Sequence, residues 1–264
     1  MAVSLDLLIN AIVAGILLGS YAAYMFNSYL GLDPILIGIV MLPVFYVIGM
    51  MVYRLYYYSF ELRGEQSIQG LAFFFGLLFV AEVSLILVFG VDYRYVEAAY
   101  IGRSLHFDFA PYRIDLPLRM LIPCVVSLLM VLGLQLYLTK SFIGRAILAV
   151  SQDALALQLM AASPTRIKQI AFGISVGTCS LAGAFLIIIL PVEPSIGRDY
   201  IGRIFAICAL GGMTSFPGMV AAAMLIAIVE SLTQTFYGPS WAPAVAFGFL
   251  LAVLAWRPAG LLGR

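Results

Sequence analysis

Long apolar runs separated by short polar segments dominate this chain. A bilayer core about 30 Å thick needs about 20 helical residues, and about seven of these runs read as membrane segments on that basis. We therefore predict an all-α, polytopic membrane helix bundle in which some helices are short or broken. There are eight apolar runs, of which 200–213 is too short to cross alone: 5–26, 35–53, 71–91, 118–138, 170–191, 200–213, 219–236 and 242–256.

Small residues recur at every fourth position of the first run. They are Ala11, Gly15, Gly19 and Ala23, and they include a Gly-x-x-x-Gly pair. This spacing places them on one face of a helix, where they let another helix backbone approach closely. The stripe is predicted to be a helix-packing surface.

The segment 139–169 is polar, yet it has the composition of a helix. It contains no glycine or proline from Arg145 to Ala162, and good helix formers dominate it. Ser163 is a plausible N-cap with Pro164 at the first position of a second helix. We predict two helices with a sharp corner at the membrane surface. Two interpretations are open: a docking site for a soluble partner, and an ordinary amphipathic connector between spans.

Two other polar segments have aromatic character. The segment 54–70 begins with Tyr56, Tyr57 and Tyr58, which is typical of an interfacial aromatic belt. The segment 92–117 alternates polar and aromatic residues, which is compatible with a short hairpin. His106 in this loop is expected to be solvated or hydrogen-bonded, and no metal site is predicted.

Composition confirms the membrane class and excludes others. Apolar residues make up 64% of the chain and charged residues 10%, and the mean hydropathy is +1.08, far from soluble domains. A net charge of +1 gives no basic surface for nucleic acid. The three cysteines lie in apolar runs and are expected to be buried structural thiols. The first nine residues lack a basic region, so the first span is expected to remain in the mature protein.

The distribution of basic residues gives a weak orientation. Eight Lys and Arg fall in 1–4, 54–70, 139–169 and 257–264, against six on the other side. This bias favours a cytoplasmic location for the segment 139–169.

Two carboxylates lie inside apolar runs. Such groups are costly at membrane depth and normally face a partner or a watery cavity. For Glu82, a functional role and a structural hydrogen bond to a neighbouring helix are both open. Glu230 is interpreted as a buried group that fixes its helix in preference to a direct substrate contact. Gly211, Gly212 and Gly218 interrupt the helices nearby and are predicted to line the substrate pathway.

No catalytic constellation emerges from the sequence. It contains no G-x-x-x-x-G-K-[ST] for ATP hydrolysis, and no G-x-S-x-G, H-E-x-x-H or C-x-x-C. We therefore expect no enzyme activity and no cofactor in this chain. A secondary transporter or channel with Glu82 and Glu230 as ion-coupling residues is one alternative, and a structural assembly subunit is another.

Three motifs carry a family resemblance. They are G-R-A-I-L-A-V-S-Q-D-A-L-A-L-Q-L-M-A-A-S-P-T-R-I-K, C-A-L-G-G-M-T-S-F-P-G-M-V and W-R-P-A-G-L-L-G. The chain resembles the permease subunits of branched-chain amino acid ABC importers. Residues that match the family's ATPase-docking loop are Gly144, Arg145, Asp153, Ala156 and Met160, followed by Ala161 in place of the usual glycine and by Pro164. Residues that match its Gly-Gly region, downstream Glu and C-terminal signature are Gly211, Gly212, Gly218, Glu230, Arg257, Pro258 and Gly260.

The resemblance implies a multi-pass permease in the bacterial inner membrane. Such a subunit forms half of a translocation pathway with a second, homologous or identical permease subunit. Separate cytoplasmic ATPase subunits bind the ATP, and an extracytoplasmic solute-binding protein delivers the solute. One departure is that Gly19 to Tyr24 follow the first half-span directly, where the family has an additional stretch.

Overall fold

The computed structural model describes residues 5–61, 68–98, 100–109, 112–159, 162–212 and 215–256. Its elements are α1 (Leu5–Leu30), α2 (Pro34–Ser59), α3 (Ile68–Phe89), β1 (Ser104–Phe109), β2 (Tyr112–Pro117), α4 (Leu118–Lys140), α5 (Phe142–Gln152), α6 (Ala154–Leu159), α7 (Pro164–Ile189), α8 (Gly197–Gly211), α9 (Phe216–Tyr237) and α10 (Ala242–Trp256), with 3-10 turns at Pro194–Ile196 and Pro239–Trp241. Within this described part, six helices are long and apolar enough to cross a membrane: α1, α2, α3, α4, α7 and α9.

The chain divides into two compact units, residues 1–198 and 199–264. In the first unit, α7 is the central helix and packs most extensively against α2 and α1. Ser180 of α7 donates a hydrogen bond of 2.8 Å to the backbone carbonyl of Gly38 in α2. Such bonds and close backbone contacts hold helices together in lipid, where apolar burial alone gives no preference for protein over acyl chains.

The small-residue stripe of α1 faces α7. A Cβ atom at Gly15 would lie 2.9 Å from Cys179 Cβ, and one at Gly19 would lie 2.9 Å from both the Cys179 carbonyl oxygen and Ser180 Cα. Gly183 returns the contact, since its Cβ would overlap the backbone of α1 at Ile16 and Ser20. Ala11 and Ala23 are buried. The stripe therefore packs within the chain, against a helix that also carries small residues.

An aromatic cluster fills the end of the first unit where α2 finishes. Tyr56 lies with its ring centroid 5.2 Å from that of Phe74, and Phe74 lies 5.7 Å from Phe172. Tyr56 is buried, whereas Tyr58 is exposed. The expectation of an aromatic belt is therefore wrong for Tyr56, because its position on α2 turns it toward α3 and α7.

The hairpin expected in the loop after α3 is present in its second half. β1 pairs antiparallel with β2, with Ser104 opposite Pro117. The first half of the loop forms only an isolated bridge between Arg94 and Val192. The side chain of His106 lies outside the described ones.

The second unit contains most of α8, together with α9 and α10. Ala206 and Leu210 of α8 pack with Ala222 and Ile226 of α9, and Ala246 of α10 completes the cluster. The chain reverses between α8 and α9 at Gly212, whose φ of 84° lies in the left-handed region that glycine adopts without strain.

The segment 139–169 differs from the expected pair of surface helices. The first helix ends at Gln152, because Asp153 adopts an extended conformation with φ −150° and ψ 104°. The short helix α6 follows, and Pro164 then begins α7, which continues without a break to Ile189. The expected second surface helix is thus the first two turns of a spanning helix.

Two further expectations are corrected. Cys124 is exposed on α4, whereas Cys179 is buried and Cys208 is intermediate. An apolar run does not imply a buried thiol in this class, since lipid also accepts apolar side chains. The expected interruption at Gly218 is not found, because Pro217 and Gly218 lie in the first turn of α9, where proline is tolerated. The interruption lies between the end of α8 at Gly211 and the start of α9 at Phe216.

Candidate functional site

The corner between α4 and α5 is built from Ser141 and Gly144. The Ser141 hydroxyl oxygen accepts a hydrogen bond of 2.9 Å from the Gly144 backbone N–H, which caps the N-terminus of α5. Gly144 is buried, and a Cβ there would overlap the backbone of Tyr137 and Leu138 in α4. Only glycine allows α5 to turn away this closely from the end of α4.

The predicted docking residues are distributed over α5, α6 and the start of α7. Arg145 and Asp153 are exposed, at the start and the C-terminal cap of α5. Ala156 lies in α6, and Pro164 is buried in the first turn of α7. Met160 and Ala161 lie outside the described residues. The arrangement presents α5 beside the end of a span with charged groups accessible at both of its ends.

An ion pair ties the base of α7 to the end of α2. Lys168 Nζ lies 2.8 Å from Glu61 Oε1, and Tyr53 donates a 2.9 Å hydrogen bond to Glu61 Oε2. Gln169 also donates to the backbone carbonyl of Met50 at 3.1 Å. Helix α5 contacts α7 directly, and these bonds connect α7 to α2.

Glu82 forms a two-pronged ion pair with Arg198. Arg198 donates from Nη2 to Oε1 of Glu82 at 2.7 Å and from Nε to Oε2 at 3.3 Å. The Glu82 side chain is 7% exposed and that of Arg198 is 64% exposed. A buried carboxylate with both oxygens satisfied braces α3 against the start of α8, which supports the structural alternative for Glu82.

A cavity of about 310 Å³ lies within the second unit, and Glu230 is on its wall. Asp199, Arg203 and Glu230 are the charged residues of its lining, and the other lining residues are apolar. Arg203 Nε lies 3.3 Å from Glu230 Oε1. That oxygen is buried and accepts no hydrogen bond from the described residues, because the ion pair lacks hydrogen-bond alignment. The apolar wall is formed by Ala206, Ile226, Pro243, Ala246 and Phe247.

The Gly-Gly region packs backbone against backbone. A Cβ at Gly211 would lie 2.5 Å from Met219 Cα, and a Cβ at Gly218 would overlap the Gly211 carbonyl. All three glycines are buried where the chain turns from α8 into α9: Gly211 ends α8, Gly212 follows it, and Gly218 lies in the first turn of α9. Their observed role is to close this turn, and their place on the substrate pathway stays a prediction.

Two arginines are partners that the sequence reasoning missed. Arg198 and Arg203 pair with the two intramembrane carboxylates, which belong to different helices. Arg203 interrupts an otherwise apolar run at 200–213, and a charge in such a run is itself a signal. Within the described ranges, no group of three or more His, Cys, Asp and Glu residues is arranged to hold a metal ion.

A polar network ties together the loops at the opposite end of the first unit. The Asn27 amide donates to the backbone carbonyls of Leu32 and Glu97 at 2.8 and 3.0 Å. Tyr100 donates a 3.2 Å hydrogen bond to Asp33, the N-cap of α2. Burial, and then the negative charge of Asp33, raise the pKa of Tyr100 above its usual value. The phenol therefore remains a donor throughout the physiological pH range.

The sequence matches a known protein family. The family model described as "Branched-chain amino acid transport system / permease component" matches residues 2–254. The chain belongs to this permease family. With six helices able to span, it is a multi-pass protein of the bacterial inner membrane. The C-terminal residues Arg257, Pro258 and Gly260 lie outside the described part of the chain.

Several curated relatives are similar to this permease-family chain. The permease protein BraD of Pseudomonas aeruginosa is 32% identical over 53% of this chain and 46% of its own length, and LivH of Escherichia coli K12 is 29% identical over the same shares. The probable permease LivH of Methanocaldococcus jannaschii is 26% identical over 89% of this chain and 73% of its own length. The match to BraD and LivH spans about half the length of those relatives. No solved structure matches.

Proposed function

We propose that this chain is a permease subunit of an ABC importer for branched-chain amino acids or a related small solute. It forms half of a translocation pathway with a second permease subunit. Cytoplasmic ATPase subunits supply the energy, and an extracytoplasmic solute-binding protein delivers the solute. The chain itself carries out no bond chemistry. The observation that carries the proposal is the family match over residues 2–254, which includes the segment between α4 and α7.

The geometry of α5 and α6 supports docking to the ATPase. Both helices follow α4 directly, and α5 is fixed to the end of that span through Gly144 and Ser141. The exposed Arg145 and Asp153 offer charges to a soluble partner. A movement imposed on α5 passes to α7, which α5 contacts, and the Lys168–Glu61 pair carries it to the end of α2. The helices can therefore tilt together when the ATPases close.

The names of the relatives support a paired permease in a multi-component transporter. LivH and LivM of Escherichia coli K12 are both described as permease proteins of a high-affinity branched-chain amino acid transport system. This chain is similar to both, at 29% and 31% identity. The similarity to both relatives is compatible with pairing to a homologous permease subunit and with pairing to an identical copy of this chain.

Charge reversal in α5 tests the proposal. We expect Arg145→Glu and Asp153→Lys to lower the substrate-stimulated ATPase activity of the assembled importer, because each replaces an attraction to the ATPase with a repulsion. Membrane insertion should be unchanged, since both side chains are exposed and outside the spans. The measurement is ATP hydrolysis with and without solute-loaded binding protein, together with copurification of the ATPase.

Arg145→Lys and Asp153→Glu are the matched controls, because they keep the charge. Both should retain stimulation close to that of the unaltered chain. Normal stimulation in the charge-reversed variants would show that the docking assignment is wrong. Transport by the purified chain without any ATPase would contradict the whole proposal.

A further inference from the structure

The cavity of the second unit is lined by three kinds of group. Glu230 and Asp199 are anionic, Arg203 is cationic, and the remaining wall is apolar. Its volume of about 310 Å³ lies at the lower end of the range of small-molecule sites. Glu230 is seven residues before the end of α9 at Tyr237, about 10 Å along the helix axis.

One of the charged residues that line the cavity has an oxygen without a hydrogen bond from the described residues. The Glu230 side chain is 13% exposed, and its buried Oε1 accepts no hydrogen bond from the described residues. A buried acceptor without a hydrogen bond is destabilising, and more so when it is charged. Arg203 lies beside this oxygen, and its guanidinium carbon is 5.4 Å from the centroid of the Tyr200 ring. The Tyr200 ring holds Arg203 at the cavity edge. Oε1 is ion-paired with Arg203 but accepts no aligned hydrogen bond from the described residues, and a bound cation would donate one.

The apolar wall is fixed by close packing. A Cβ at Gly202 would lie 2.6 Å from Phe247 Cζ, so the absence of a side chain at Gly202 lets the Phe247 ring sit against α8. Ala206 and Ala246 are buried beside it, and their small side chains leave the space open. An apolar group of a ligand can fill this space without displacing a side chain.

We propose that this cavity binds an α-amino acid with an aliphatic side chain as its zwitterion. The carboxylate pairs with Arg203, the ammonium donates to Glu230 and Asp199, and the aliphatic group contacts Ala206, Ala246 and Phe247. A zwitterion supplies the missing donor to Oε1 and keeps Arg203 paired, whereas an amine or a carboxylic acid alone satisfies only one of them. The assignment rests on the proposed function, because it places the transported solute on this chain.

Transport by the assembled importer is the first test. Arg203→Gln and Glu230→Gln should each lower the uptake of L-leucine about tenfold or more, which corresponds to about 1.4 kcal/mol of lost interaction. The charge swap Arg203→Glu with Glu230→Arg keeps the pair but reverses its polarity. The swapped complex should assemble and still fail to transport. If the double variant transports L-leucine normally, the Arg203–Glu230 pair only holds two helices together, and the proposed binding site is wrong.

The second test measures binding without relying on these variants. In a background with Cys124, Cys179 and Cys208 replaced by alanine, Pro243→Cys places a thiol on the cavity wall. The permease–ATPase complex is alkylated with a water-soluble maleimide, without the solute-binding protein. L-Leucine should slow alkylation, whereas isoamylamine and 4-methylvalerate should not. Equal protection by all three compounds, or by none, would overturn the zwitterion site.

Glu82→Gln is the matched control, because it neutralises another buried carboxylate that is paired with an arginine, outside the cavity. It should leave the protection by L-leucine unchanged. The two proposals fail in different ways. If the complex takes up leucine but leucine does not protect the Pro243→Cys variant from alkylation, the binding site is wrong and the importer proposal stands. If leucine protects the variant in a complex that takes up no amino acid, the importer proposal is wrong and the binding site stands.

Discussion

At the scale of single residues, small side chains set how closely the helices of the first unit approach. Gly19 lies against the backbone of α7 at Cys179 and Ser180, with less room than a methyl group needs. Gly133, in the middle of α4, faces open space. The same residue type is therefore a packing requirement in one helix and not in the other, and only its neighbours distinguish the two.

A comparison of these two glycines tests the stripe. Gly19→Ala should lower the free energy of unfolding of the purified chain by about 1–3 kcal/mol, because overpacking forces the two backbones apart. Gly133→Ala should leave it unchanged or raise it by up to about 1 kcal/mol, since alanine is the better helix former. Both are measured by denaturant titration in the same detergent. If the two variants are equally stable, the stripe does not limit packing.

Glu82 and Glu230 show how environment separates two residues of the same type. Both are carboxylates in apolar helices that pair with an arginine. Glu82 has both oxygens bonded by Arg198, whereas Glu230 keeps one buried oxygen without a donor beside a cavity. The first arrangement is complete without a ligand, and the second leaves an acceptor for one.

At the scale of secondary-structure elements, the helix boundaries in the region after α4 are set by capping residues more than by amino-acid composition. α5 begins with the Ser141 cap and ends where Asp153 becomes extended. The polar composition continues through both points, so the helix boundaries follow from local backbone hydrogen bonds. A short helix of 11 residues is marginal without tertiary contacts or caps.

Removal of the cap should loosen α5. Ser141→Ala deletes the acceptor of the Gly144 N–H, at a cost of about 0.5–2 kcal/mol. Backbone amides in α5 should then exchange with solvent deuterium faster, while those of α7 remain protected. Ser151→Ala is the matched control, because Ser151 is exposed and its hydroxyl, among the described residues, donates to the Leu148 carbonyl of the same helix. Unchanged exchange in Ser141→Ala would mean that packing on α4, and not the cap, holds α5.

At the scale of the whole molecule, the six long helices define which loops lie on opposite sides of the membrane. α4 is one of them, and it separates the loop with Tyr93 from the helix with Ser151. Both residues are exposed. The weak excess of basic residues on the side of 139–169 favours a cytoplasmic position for Ser151.

Labelling from each side tests this topology. In the background without the native cysteines, Tyr93→Cys should react with a membrane-impermeant maleimide in intact cells. Ser151→Cys should react only in inverted vesicles. Labelling of both residues from one side would show that α4 does not cross, and the reverse pattern would place the docking segment outside the cell.

The pattern of apolar runs was sufficient to predict the architecture. The all-α membrane class and the long spans follow from length and periodicity, because a helix in lipid must satisfy its backbone internally and reach across the bilayer. The alternating pattern over 92–117 indicated a hairpin, and the structure has it at 104–117. The motifs around Gly144, Arg145 and Gly211 were sufficient to predict the family. These are local properties, and a local property can be recognised in one stretch of sequence.

The partners of each residue were decided only by the tertiary structure. Glu82 and Arg198 are 116 positions apart, and Lys168 and Glu61 are 107 apart, so no periodicity connects them. The exposed position of Cys124 and the buried position of Tyr56 likewise depend on which helix lies alongside. Apolar side chains pack against lipid as readily as against protein, so the sequence of an apolar run does not show whether a given side chain faces lipid or another helix. Side-chain pairing and helix adjacency arise when distant segments meet.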